Sequence, residues 1–176
     1  MKKNILVTGA PGAGKTTLVK KILGGSEGLH AIGFYTEEIR EGGVRKGFSL
    51  VATTGARAVL AHEKIKSPFK VGKYGVDVGC FERFLASIPF REKSVDGLVV
   101  IDEIGKMECF SKVFTALVAE LLASDKRVVA TVALKGAGLI ESVKKRSDSD
   151  VIEVTRENRD SLPGEILDRL RSPNIP

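Results

Sequence analysis

The sequence predicts an α/β fold: a three-layer α/β/α sandwich around a mostly parallel sheet, with an antiparallel hairpin inserted after the first strand–helix unit. Three observations predict it. Apolar runs bounded by turn residues alternate with stretches of helical period along most of the chain. Leu98-Val99-Val100-Ile101 is apolar without a break, as in a strand covered on both faces. Between the first two α/β units, two extended runs flank Glu41-Gly42-Gly43, the pattern of a hairpin.

The elements follow in order. Asn4 to Thr8 reads as a buried strand through Ile5, Leu6 and Val7. Lys15 to Leu23 reads as a helix with Leu18, Val19, Ile22 and Leu23 on one face, stopped by Gly24-Gly25. Leu29 to Ile39 and Arg45 to Thr54 form the hairpin arms, and Arg57 to His62 is a candidate third strand. Lys66 to Val76 holds Pro68, Gly72 and Gly75 and reads as a loop. Val78 to Ile88 is helical until Pro89. Phe110 to Ala123 carries the 3–4 spacing of a core-facing helix in Val113, Phe114, Leu117, Val118, Leu121 and Leu122. Arg127 to Ala133 is a further buried strand, and Leu139 to Lys145 a short helix. Val151 to Val154 is the last strand, Arg159 to Leu170 the last helix, and Ser172 to Pro176 should fray.

A length of 176 residues, 43% hydrophobic, is expected to fold as one domain, 1–176, with a substantial core. No apolar run approaches the roughly 20 residues that span a bilayer. Two cysteines, Cys80 and Cys109, make no disulfide framework, so a reduced, cytoplasmic compartment is expected. They read as small packed hydrophobes. The net charge of +6 fits either a phosphate-binding protein or a lysine-rich soluble surface.

The stretch that carries chemistry is Gly9-Ala10-Pro11-Gly12-Ala13-Gly14-Lys15-Thr16, with Thr17 behind it. It fits G-x-x-x-x-G-K-[ST], a phosphate-binding loop, and it stands between a strand and a helix as that motif requires. Gly9, Gly12 and Gly14 permit positive φ, so that successive backbone N–H groups turn inward at the positive end of the helix dipole. Lys15 should reach the β- and γ-phosphates as a point charge. The Thr16 hydroxyl should ligate Mg²⁺.

Asp102 and Glu103 supply the second half. An acid at the end of a buried strand beside such a loop can hold Mg²⁺ through water, which assigns Asp102 to the metal. The carboxylate beside it, Glu103, can orient or deprotonate an attacking water. Glu37 and Glu38, at the rim of the second strand, are alternatives for that role. Arg40, Arg45, Lys46 and Lys106 are candidates to neutralise charge on the γ-phosphate. Tyr74 could cover the nucleotide or pack on the hairpin. Thr155, Asn158 and Arg159 follow the last strand, where base contacts often lie; Asn158 could equally cap the final helix.

These residues resemble the family of P-loop nucleoside-triphosphatases that includes the human cancer-related NTPase and small thermophile relatives. The likeness rests on Gly9 to Thr17, Gly33 to Arg40, Gly47-Phe48, Val71 to Asp77, Ile101 to Glu108, and Glu157 to Asp160. It implies Mg²⁺-dependent hydrolysis of ATP, GTP and other nucleoside triphosphates, slow and with little base selectivity. Two other readings share the fold. A nucleotide or nucleoside kinase would need an acceptor site and a lid, and no long lid insert stands between Asp125 and Ser149. A nucleotide-gated RNA- or protein-binding module is compatible with the basic balance, but no nucleic-acid motif supports it. The sequence does not give the oligomeric state; a monomer is slightly favoured.

Overall fold

The computed structural model describes residues 2–92 and 97–172. Met1 and, of the segment expected to fray, residues 173–176 lie outside the described residues.

The chain begins with β1 (Asn4–Thr8) and α1 (Lys15–Gly24), followed by β2 (Ile32–Glu41), β3 (Val44–Ala52) and β4 (Arg57–His62). Two short strands, β5 (Lys70–Val71) and β6 (Tyr74–Val76), precede α2 (Val78–Ala86). Then come β7 (Leu98–Ile104), a 3₁₀ turn (Glu108–Phe110), α3 (Lys112–Ala123), β8 (Arg127–Val132), α4 (Leu139–Lys144), β9 (Ser149–Glu153) and α5 (Leu162–Arg171). Among the described residues nine strands share one sheet in the order β5-β6-β4-β3-β2-β7-β8-β1-β9.

Alternation along each strand splits the core in two. Leu6, Val99, Ile101, Val128 and Ala130 face α2, α3 and α4. Ile5, Val7, Leu98, Val100 and Val129 face α1 and α5. This is the expected three-layer arrangement, and the period of two in the strands produces it. Phe34 anchors the first layer: its ring meets Phe81, Phe84 and Phe114 edge-on at centroid distances of 6.0, 5.7 and 6.4 Å.

The α/β architecture is as expected, but the sheet is mixed rather than mostly parallel. Four parallel pairings, from β2 to β9, are matched by four antiparallel ones in a wing made of β2 to β6. The expected loop at Lys66 to Val76 contains β5 and β6. Its turn residues mark a two-residue hairpin, with Gly72 at φ +57° between the strands. The start of α2 at Val78 is as expected, the Asp77 carboxylate accepting from the Cys80 amide at 2.8 Å. Two other helix starts differ for local reasons. The Ser111 hydroxyl accepts from the Phe114 amide at 3.0 Å, so α3 begins two residues later than its apolar period suggests. Residues 156–161 form turns ahead of α5, which therefore begins at Leu162.

Candidate functional site

The loop between β1 and α1 curls as its glycines require. Gly9, Gly12 and Gly14 have φ of +153°, +78° and +106°. Gly14 sits where α1 begins, in a conformation a Cβ would strain. Lys15 folds back over the loop, its Nζ donating to the Gly9 carbonyl at 3.1 Å.

Sheet order brings the acid to this loop. β8 lies between β1 and β7, yet the Thr16 hydroxyl donates to Asp102 Oδ2 at 2.8 Å. Asp102 is 1% exposed. The Thr36 amide and hydroxyl, from β2, donate to the same oxygen at 3.3 and 3.2 Å. The Thr131 hydroxyl, at the end of β8, donates to Oδ1 at 2.6 Å. A buried carboxylate is costly unless hydrogen-bonded, and strands on either side of β7 supply that bonding. Both oxygens are thereby held in place beside the Thr16 hydroxyl. Hard oxygen donors of this kind, one carboxylate and one hydroxyl beside a phosphate loop, fit Mg²⁺, which keeps most of its waters and takes few protein ligands.

Glu103 is adjacent in sequence across a cis peptide bond and points to the open side. Its Oε2 lies 3.7 Å from Lys15 Nζ. Burial pushes its carboxyl above the ordinary range, the Lys15 charge pulls it back, and the Asp102 charge pushes it up again. Both residues line a cavity of about 800 Å³ together with Pro11, Gly12, Gly14, Thr16, Thr17, Thr36 and Lys135.

Other expected residues divide clearly. Glu37 and Glu38 line the cavity, but each is tied to cations. Glu37 is held below its usual range first by Lys20, at 2.6 Å, and then by Arg57. Glu38 is held down by Arg45 and Arg40. Arg45 and Lys106 line the cavity, whereas Arg40 and Lys46 do not. Tyr74 packs edge-on against Phe48 at 5.4 Å and accepts from Arg45 Nε at 3.2 Å. Gly9, Ala10 and Ala13 shape the loop without lining the cavity. Asn158 lies in the β9–α5 turn, outside the cavity lining, its amide accepting from the Thr155 N–H and donating to the Glu153 carbonyl, both at 2.8 Å.

Sequence reasoning passed over Thr36, Thr131, Lys20 and Glu108. Thr131 was the sole hydroxyl in the apolar run Arg127 to Val132, which is the signal that could have found it. Glu108 is 5% exposed and lines the cavity. It reaches back over Gly105, where a Cβ would lie 2.8 Å from Glu108 Oε2 and 2.9 Å from Glu103 Oε1. A side chain at position 105 would push the two carboxyl groups out of these positions.

Burial, reinforced by the Glu103 and Asp102 charges, raises the Glu108 carboxyl to about 8. The unfolded chain ionises near the ordinary value of about 4.3. From there up to about 8, the folded state therefore binds the extra proton, and stability falls as pH rises. Glu108→Gln should remove this dependence. Its Tm should exceed that of the parent at pH 8 and match it near pH 4.5, by about 2–4 °C for each kcal/mol relieved. Thermal denaturation at the two pH values checks this; an equal shift at both would mean that Glu108 is already ionised.

The convergence of Thr16 and Asp102 across an intervening strand places the chain among the α/β proteins that bind nucleotide phosphates through a glycine loop. The protein-family model described as NTPase matches residues 4–167. The chain is 41% identical over 168 residues to Nucleoside-triphosphatase THEP1 of Thermotoga maritima, covering 95% of each chain. It is 36% identical over 187 residues to the Cancer-related nucleoside-triphosphatase of Homo sapiens, covering 98% of each. Its fold matches the crystal structure of THEP1 from the hyperthermophile Aquifex aeolicus with a TM-score of 0.88 at 39% identity, covering 96% of this chain and 99% of that one. The chain belongs to this NTPase family of nucleoside-triphosphatases.

Proposed function

We propose that the protein hydrolyses nucleoside 5′-triphosphates to the diphosphate and inorganic phosphate, with Mg²⁺, slowly and with broad base specificity. The observation that carries this reading is the Glu103 carboxylate 3.7 Å from Lys15 Nζ at the cavity wall. The loop amides and Lys15 hold the β- and γ-phosphates. Glu103 accepts a hydrogen bond from water and takes its proton as the water oxygen bonds to the γ-phosphorus and the bond to the bridging β–γ oxygen breaks. Thr16 and Asp102 would hold Mg²⁺. The ion, when bound, offsets charge on the phosphate oxygens. Lys135, Lys106 and Arg45 face the same cavity and add positive potential for the departing phosphate.

Water as the acceptor is supported by the short connection between β8 and α4, residues 133–138, which is no substrate lid. The base is assigned to the turn from Thr155 to Arg159. That turn lies beside the loop, since the Val154 amide donates to the Thr8 carbonyl at 2.8 Å, and Asn158 holds its shape. A reducing, cytoplasmic compartment suits Cys80 and Cys109, both free thiols. Among the described residues no helix is long and apolar enough to cross a membrane.

Base discrimination should be weak, because phosphates and metal dominate affinity. Phosphate release from ATP, GTP, CTP and UTP under matched conditions should agree within about tenfold, which is about 1.4 kcal/mol. A thousandfold preference for one base would mean that a base-reading pocket exists and would overturn the broad-specificity reading.

A further inference from the structure

The chain's net charge of +6 is not spread over its surface. Residues 44–76, the part of the antiparallel wing beyond β2, hold seven Lys and Arg and one Glu, so that this segment carries the whole excess and the rest of the chain balances. Ion pairs locate the excess further. Arg45 pairs with Glu38 and Arg57 with Glu37, both carboxylates from β2. Lys46 and Lys73 share the single Glu63, whose carboxyl they hold down at about 2. Lys64, Lys66 and Lys70 are exposed and form no ion pair among the described residues.

An aromatic surface stands among these lysines. Phe69 is 39% exposed and packs against Phe110 with ring centroids 5.2 Å apart and tilted by 42°. Beside it lies a second depression of about 480 Å³, lined by Lys70, Gly72 and Phe110. This depression shares Val71 and Lys106 with the nucleotide cavity.

We propose that the segment from Lys64 to Lys73 and the adjoining Phe69–Phe110 surface bind single-stranded nucleic acid, with the strand leading toward the nucleotide cavity. Lysines spaced along the segment meet successive phosphates, and the exposed ring offers a stacking face to an unpaired base. A duplex hides its base faces and cannot use that ring. A membrane surface would need a continuous apolar face. The large exposed apolar residues of the wing are instead scattered, Val44 on β3, Val59 on β4 and Phe69 in the loop before β5. This inference concerns a surface outside the hydrolytic groups and is separable from the proposed activity.

The test is fluorescence anisotropy with a labelled 20-nucleotide oligo(U), a matching duplex, and phosphatidylserine vesicles as comparison. The protein should bind the single strand with an affinity that falls as salt rises. The triple variant Lys64→Gln, Lys66→Gln, Lys70→Gln should bind at least about tenfold more weakly, with the log–log salt slope reduced by about 2, from about 0.7 per lost phosphate contact. Phe69→Ala should lose about fivefold to a hundredfold at unchanged slope, the usual range for one stacked base. Both variants should release phosphate from ATP at the parent rate, which shows that they are folded. No binding of oligo(U) at about 50 mM salt, where phosphate contacts count most, would overturn the proposal. So would equal affinity for the duplex, or undiminished binding by the folded variants.

Discussion

Glu103→Gln should hydrolyse nucleoside triphosphates about 10²–10⁴-fold more slowly while binding them as tightly as the parent. The substitution keeps the shape of the side chain and its place beside Lys15 but removes the charge and the basicity. Single-turnover hydrolysis beside equilibrium binding separates the two effects. The unmodified enzyme should show a related signature in its pH profile. A base works only when deprotonated, and burial raises this carboxyl above its ordinary range. The acid limb of kcat/KM should therefore lie above the ordinary carboxylate value of about 4.3, with activity lost as pH falls through it. A Glu103→Gln variant that turns over at the parent rate would mean that water is positioned elsewhere, with Glu37 and Glu38 the other carboxylates near the second strand's rim.

Lys15→Ala should abolish tight triphosphate binding. Removing one partner of a buried charge contact typically costs about 2–5 kcal/mol, roughly 30-fold to several-thousand-fold in affinity. The geometry adds a second consequence. Lys15 is the cation 3.7 Å from Glu103 and the one that draws its carboxyl downward. Without it the acid limb of any residual activity should move to still higher pH. Titration with a non-hydrolysable triphosphate reads the first effect, and a pH–rate profile the second. Unchanged affinity would show that the loop is not the phosphate site.

The parts of the fold legible in the sequence are those with strong local signals. Gly9 to Thr16 is specified by residue type at fixed spacing, and Leu98 to Ile101 by an unbroken apolar run. Asp102 and Glu103 were legible because a buried strand rarely carries charge without a use. What escaped depends on which strands become neighbours. Thr36 and Thr131 lie 66 and 29 residues from Asp102, and they meet it only because β2 and β8 flank β7 in the sheet. Glu108 looked like one more residue of a motif until the turn after Gly105 carried it back to Glu103. The strands β5 and β6 were hidden by their glycines, which read as loop although they serve a tight hairpin and a close approach. Gly75 is needed because a Cβ there would lie 2.0 Å from the Ile65 carbonyl oxygen. The wing's charge was visible as a total in the sequence but not as a location, since the pairings that cancel Arg45 and Arg57 come from β2.

The central claim is that water receives the γ-phosphoryl group. It is tested most directly by a single-turnover reaction of γ-labelled ATP with Mg²⁺ in ¹⁸O-water, with and without added nucleoside monophosphates. Inorganic phosphate carrying one ¹⁸O atom should form, at the same rate whether or not a monophosphate is present. Label appearing in a nucleoside diphosphate, with phosphate release absent or dependent on the acceptor, would contradict it and make the protein a kinase.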